Sequence, residues 1–133
     1  MDGYDGACRE IHGHSYRLFV TVGGTPVANP KSPKYGMVMD FGELKKIVGR
    51  LIVDRFDHAL VIRRTDNNGK IISALQQHYK KIEAVDYQPT CENMAALFAE
   101  TIEPELPAGV GLHSVKLHET ATSFAEWKKK DNL

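Results

Sequence analysis

The sequence predicts an α+β domain, an antiparallel sheet with helices on one face. Three observations predict it. Ser15 to Gly23 and Gly111 to Glu119 alternate apolar and polar residues as strands do. Phe41 to Arg55 and Cys91 to Glu103 repeat apolar residues at helical spacing. The elements run strand, short strand, helix, small elements, helix, strand, strand, so that helices are inserted between hairpin-like strand pairs.

In chain order, the first strand places Tyr16, Leu18, Val20 and Val22 on one face, and Gly23-Gly24-Thr25-Pro26 ends it. After a polar loop with Pro30 and Pro33, Gly36-Met37-Val38-Met39-Asp40 fits a short second strand. Asp40 then reads as a helix N-cap with Glu43 three residues on, an acidic relative of the capping box. Phe41, Leu44, Ile47, Val48, Leu51 and Ile52 give that helix one apolar face, and Gly49 inside it costs roughly 1 kcal/mol against alanine. Phe56 to Ile62 follows, then a charged turn at Asn67-Asn68-Gly69. Ile71 to Lys81 reads as a short helix and Ile82 to Tyr87 as a short strand. Thr90 opens the second long helix, which packs Met94, Leu97, Phe98 and Ile102 until Pro104 and Pro107 stop it. In the following strand Val115 and Leu117 share a side, and a last strand runs from Ser123 to Trp127. Trp127 is read as packing.

The 133 residues make a single domain spanning 1–133. Hydrophobic content of 42% and charged content of 26% are ordinary for a globular protein, and the formal net charge is zero. Nothing in that balance calls for nucleic acid or an anionic membrane surface as partner. No apolar run approaches the roughly 20 residues of a membrane span, and no signal peptide is evident. Cys8 and Cys91 alone make no disulfide framework, so a reducing cytoplasm is the default. The lead from Met1 to Ala7 is turn-rich and reaches Cys8 without a strand or helix before it, as though the sequence begins inside a longer protein.

The chemistry concentrates in Cys8-Arg9-Glu10-Ile11-His12-Gly13-His14. Extending the alternation of the first strand backwards puts His12 and His14 on its apolar face. Side chains at i and i+2 of a strand point the same way with Cα atoms about 6.5 Å apart. Two imidazoles can then lean onto one metal ion at Zn–N distances of about 2.0–2.1 Å. The competing reading is a pair of satisfied core histidines. Asp57-His58 can serve as an orienting carboxylate and a general acid/base, although consecutive side chains seldom bond each other. Glu119 shares the parity of Val115 and Leu117, so it points inward if the strand continues and is solvated if it does not. An inward carboxylate needs a partner, and parallel N–H donors on a heterocycle suit it. Thr90 reads as an N-cap whose helix offers free backbone N–H groups, with Cys91 and Glu92 beside them. His78, His113 and His118 carry no partner pattern.

The Cys-x-x-x-His-Gly-His run at 8–14 resembles the signature of the 6-pyruvoyl-tetrahydropterin synthase and 6-carboxy-tetrahydropterin synthase (QueD) family. Gly36 to Phe41 with Leu44-Lys45, Phe56-Asp57-His58, Pro89-Thr90-Cys91-Glu92-Asn93 and Lys116-Leu117-His118-Glu119-Thr120 extend the likeness to about residue 127, in the family's order. The resemblance implies the tunnelling fold, an antiparallel sheet with two long helices on one face. It implies a homo-oligomer, commonly a hexamer of two trimers, with sites between subunits. It also implies zinc on His12 and His14, Cys8 as thiolate base, and Asp57 with His58 as a proton relay from an adjacent subunit. Glu119 would anchor the pterin's amino-pyrimidine edge, helped by Thr90, Cys91 and Glu92 at the second helix's N-terminus. The implied substrate is 7,8-dihydroneopterin triphosphate.

Three residues between Cys8 and His12, and the Met39-Asp40-Phe41 helix start, resemble the QueD branch, since animal pyruvoyl synthases have a longer gap. That branch forms 6-carboxy-5,6,7,8-tetrahydropterin with loss of acetaldehyde and triphosphate, on the way to queuosine. The pyruvoyl branch loses triphosphate and rearranges the side chain. One departure stands out. The family's third zinc ligand is a histidine on a strand ahead of the cysteine, and none of the seven residues before Cys8 is histidine. The expected fold therefore lacks its first strand, and a non-catalytic pterin-binding subunit is an alternative to the enzyme.

Overall fold

The computed structural model describes Gly6 and residues 10–133. Of the lead only Gly6 is described, and Cys8 lies outside the described residues. Strand β1 spans Arg17–Gly24, and helix α1, Phe41–Val48, passes through a π-helical turn, Gly49–Val53, into α2, Asp54–Phe56. Strand β2 is Leu60–Arg63, helix α3 Gly69–His78, strand β3 Ile82–Val85 and helix α4 Cys91–Ile102. Strands β4, Val110–His118, and β5, Phe124–Lys128, complete the order.

The antiparallel sheet runs β1-β4-β5. Leu18 lies opposite Leu117 and Val20 opposite Val115, and Ala125 faces Leu117 from the far side. Between Thr21 and Val22 the ladder slips, Thr21 facing Ser114 and Val22 facing Leu112. His113 is thus the extra residue of a bulge, and the bulge lets Leu112 and Val115 both point inward although they are three apart. Gly24, at the end of this ladder, lies so close to the facing turn that a Cβ there would sit 2.6 Å from the Gly109 carbonyl oxygen.

Both long helices cover the same face of that sheet. Met94, Ala95, Phe98, Ala99 and Ile102 of α4 pack with Ile52 against Leu112, Val115 and Leu117, and Leu18, Val20, Val22 and Trp127 close the core. The Phe56 and Phe98 rings meet at 5.1 Å. Asp40 caps α1, its Oδ1 accepting from the Gly42 N–H at 2.8 Å, and Thr90 caps α4 by accepting from the Asn93 N–H at 3.2 Å. Glu43 does not complete a capping box, because its carboxylate pairs with Lys34 at 3.1 Å instead.

Two expectations are corrected. Gly36 to Asp40 is not a strand. Gly36 has φ +82°, and Val27 bonds both sides of it, donating to Met37 O at 2.8 Å and accepting from Gly36 N at 2.9 Å. The run is apolar because it buries Met39, not because it pairs in the sheet. The second correction concerns the short strand read at Ile82 to Tyr87, which as β3 stays out of the antiparallel sheet and pairs in parallel with β2, Leu60 opposite Ile82. Parallel neighbours require a crossover, and α3 supplies it. No helix among the described residues is long and apolar enough to cross a membrane.

Candidate active site

His12 and His14 stand just ahead of β1 and keep its side-to-side alternation. Their ring centroids are 4.7 Å apart, edge to face, and the His14 ring meets Tyr16 edge-on at 5.7 Å. Three aromatic side chains at i, i+2 and i+4 therefore form one row that leads into the core-facing residues of β1. His12 Nδ1 lies 2.7 Å from the Glu10 carbonyl oxygen. A carbonyl can only accept, so this nitrogen carries the proton and the neutral ring keeps its lone pair on Nε2.

Glu119 follows the last residue of β4, and its backbone N–H donates to Ser123 O at 2.9 Å to open the turn into β5. Its side chain nevertheless keeps the inward parity. Its Oε1 lies 3.3 Å from His14 Nε2, and both side chains are partly buried. The separation is within ion-pair range, yet the approach lacks hydrogen-bond direction, and the buried His14 Nε2 has no hydrogen-bond partner. Arg17 faces His118 across the ladder, so Tyr16 and Glu119 are the next residues out on the two strands. Burial, then the negative charge of Glu119 and that of Cys91 once it ionises in alkali, push the Tyr16 phenol up to about 12. It stays a neutral hydroxyl in the working pH range.

The N-terminus of α4 abuts the same end of the sheet. The Cys91 thiol donates to Leu117 O at 2.9 Å, and burial chiefly pushes its pKa up, with Glu119 and Glu92 adding to this against a lowering bond from Ala125. The side chain of Cys91 is thus a structural link between α4 and β4, and what it can offer a ligand is its backbone N–H. Thr90 spends its hydroxyl on the cap. Glu92 is exposed and lines a cleft with Phe124, Glu126 and Trp127, between α4 and β5.

Asp57 and His58 lie elsewhere, on the corner between α2 and β2. His58 Nδ1 is 3.0 Å from Asp57 Oδ1, and the two side chains are 89% and 62% exposed. Among the described residues no hydrogen bond, ion pair or ring contact joins this pair to His12, His14 or Glu119. The one chain brings together His12, His14, Tyr16, Glu119 and the start of α4, and keeps Asp57 and His58 apart from them.

The two histidines suit a zinc ion. One ring is fixed through Nδ1 with Nε2 free, as the outer partners of metal-bound histidines require, and the other has an orphaned buried nitrogen. Among the described residues no three His, Cys, Asp or Glu side chains converge as a complete metal site. Sequence reasoning missed Tyr16 as a site residue, although the period of two that placed the histidines runs straight through it. It read His118 as bland; that ring lies against Phe19 at 5.5 Å and Phe124 at 4.8 Å on the sheet face opposite the helices.

An antiparallel sheet backed by two helices, with a histidine pair and a carboxylate at its end, defines a class, and comparison places it. The sequence model of 6-pyruvoyl tetrahydropterin synthase matches residues 1–130, and the chain belongs to that family. Among its relatives, a 6-carboxy-5,6,7,8-tetrahydropterin synthase of Haemophilus influenzae is 33% identical over 130 residues, covering 97% of this chain and 89% of that protein. One of the same name from Aquifex aeolicus is 35% identical, covering 92% and 76%. A 6-pyruvoyl tetrahydrobiopterin synthase of Pongo abelii is 30% identical, covering 88% of this chain and 66% of its own length. The crystal structure of an uncharacterized protein from Wolinella succinogenes shares the fold, with TM-score 0.73 and 23% identity over 92% of this chain and 81% of that one.

Proposed function

We propose that this protein is a 6-carboxy-5,6,7,8-tetrahydropterin synthase, a carbon–oxygen lyase acting on 7,8-dihydroneopterin triphosphate within the route to queuosine. The observation that carries the reading is the 3.3 Å approach of Glu119 to His14, since it would let one ligand meet both the carboxylate and the histidine pair. Support also comes from relatives of that name in several bacteria, each matched over most of this chain.

In this reading Glu119 accepts two parallel N–H donors from the amino-pyrimidine edge, and the pterin lies against the backbone N–H groups of Cys91 and Glu92 at the start of α4, while Thr90, whose own N–H donates to Gln88 O at 2.7 Å, holds that turn in place. His12 and His14 would hold zinc, which would supply Lewis acidity to lower the pKa of a nearby hydroxyl. Cys8 as thiolate removes a proton from the substrate side chain, and Asp57 orients His58 to move a second one. The outer two carbons of the side chain leave as acetaldehyde and the triphosphate is released, while the first carbon stays on the ring as the carboxyl. Since the carboxyl needs two oxygens and the departing aldehyde keeps one, a water molecule is consumed.

The separation of Asp57 and His58 from the histidine pair within one chain supports a homo-oligomer, a hexamer of two trimers, in which a neighbour supplies the relay. Cytoplasmic location belongs to the same proposal. Incubating the protein with 7,8-dihydroneopterin triphosphate tests it. Acetaldehyde and triphosphate should appear in equal amounts, and Cys8→Ala should abolish both while zinc content holds. Pterin binding without either product, and with little zinc, would instead support a non-catalytic binding subunit. Triphosphate without acetaldehyde would support the pyruvoyl branch.

A further inference from the structure

We infer that Lys81 is a positioning residue that holds the Asp57–His58 pair in its working geometry; this rests on the reading of that pair as the proton relay. His58 is, among the described residues, the one non-glycine with positive φ, at 58°. A left-handed backbone is unfavourable for histidine and persists where the surroundings impose it. Packing does not impose it here, since both side chains project into solvent.

The imposing contacts come from β3 and the residue before it, Lys81. The Lys81 ammonium donates to the Asp57 carbonyl oxygen, the group left free where α2 ends. The Lys81 carbonyl in turn accepts from Leu60 N at 3.0 Å, which opens the parallel ladder between β2 and β3. Two residues on, and so on the same side of the strand, Glu83 accepts from Arg55 Nε at 2.8 Å. Lys81 and Glu83 together clasp the last turn of the helix and the corner beyond it. With the Asp57 carbonyl fixed, the chain turns left-handed at His58 and the two neighbouring side chains can meet at 3.0 Å, a contact that adjacent residues seldom make. Lys81 is exposed and stands one residue ahead of β3. Its carbonyl serves the β2–β3 ladder, while its side chain acts on this corner through the Asp57 carbonyl.

The test compares Lys81→Met, Lys81→Arg and the adjacent Lys80→Met in the zinc-supplied protein, with His58→Gln as reference. Lys81→Met should lower kcat about tenfold with KM within about twofold, and Lys81→Arg should recover to within about threefold. Independently of turnover, the nitrogen resonances of the His58 ring should move in Lys81→Met to those of a solvated, unbonded imidazole, and Lys80→Met should leave them in place. Unchanged His58 resonances in Lys81→Met would overturn the inference, as would a kcat loss that only tracks a loss of folded protein. If His58→Gln leaves turnover intact, the relay reading fails, and the ring resonances alone decide whether Lys81 positions the pair.

Discussion

The Nε2 of His14 and the Oε1 of Glu119 stand 3.3 Å apart without a hydrogen bond between them. One is the free nitrogen of the proposed metal pair and the other the proposed pterin anchor, so a ligand seated between them meets both. Glu119→Gln should therefore weaken binding of a reduced pterin at least tenfold, as loss of a charged hydrogen-bond acceptor does at about 1.5–3 kcal/mol. Zinc per chain should not change. Fluorescence titration with the pterin and elemental analysis of the same samples check both; equal affinity in the variant would remove Glu119 from the site.

The two cysteines should differ in reactivity. Burial raises the Cys91 pKa, and the thiol is committed to the Leu117 carbonyl. Iodoacetamide at neutral pH should modify Cys8, the proposed thiolate, and reach Cys91 only after denaturation. Peptide mass mapping reads the order, and equal labelling of both would contradict it.

Tyr16 gives a prediction in alkali. Its folded pKa is raised from 10.0 to about 12. The neutral phenol is thus favoured by the fold, and this contribution is complete below pH 10.0 and is lost as pH rises through about 12. A spectrophotometric titration should show a last tyrosine ionising near pH 12 together with loss of stability over that interval, and Tyr16→Phe should remove that last step while leaving Tyr87, also pushed up by burial, to titrate above the ordinary phenol range.

Two glycines should respond in opposite directions. A Cβ at Gly24 would strike the Gly109 carbonyl oxygen, so Gly24→Ala should cost about 1–3 kcal/mol. Gly49 has helical angles, with φ −59° and ψ −50°, and open space around its Cα. Gly49→Ala should stabilise by about 0.4–1 kcal/mol. Denaturant unfolding of both variants measures the pair.

Much of this was legible in the residues, where burial and chemistry repeat with a period. The alternation of β1, carried back through Tyr16, placed the histidines on one face, and the parity of Val115 and Leu117 carried Glu119 inward past the end of β4. The caps at Asp40 and Thr90 were readable because a side-chain oxygen ahead of an apolar helix has few other uses. What escaped depended on long-range pairing. Val38 and Met39 look like a strand, but only their partner decides, and Val27 holds that segment as a loop. Nothing local says that β2 and β3 run parallel. The clasp of Lys81 on Asp57 joins residues 24 apart through a side chain that the sequence presents as one lysine of a charged stretch.

The most direct measurement is the mass of the pterin formed from 7,8-dihydroneopterin triphosphate by the zinc-supplied protein. The account predicts a tetrahydropterin whose side chain has been cut to a single carboxyl carbon, with acetaldehyde released in equal amount. A product that keeps all three side-chain carbons, or substrate recovered unchanged, would contradict it.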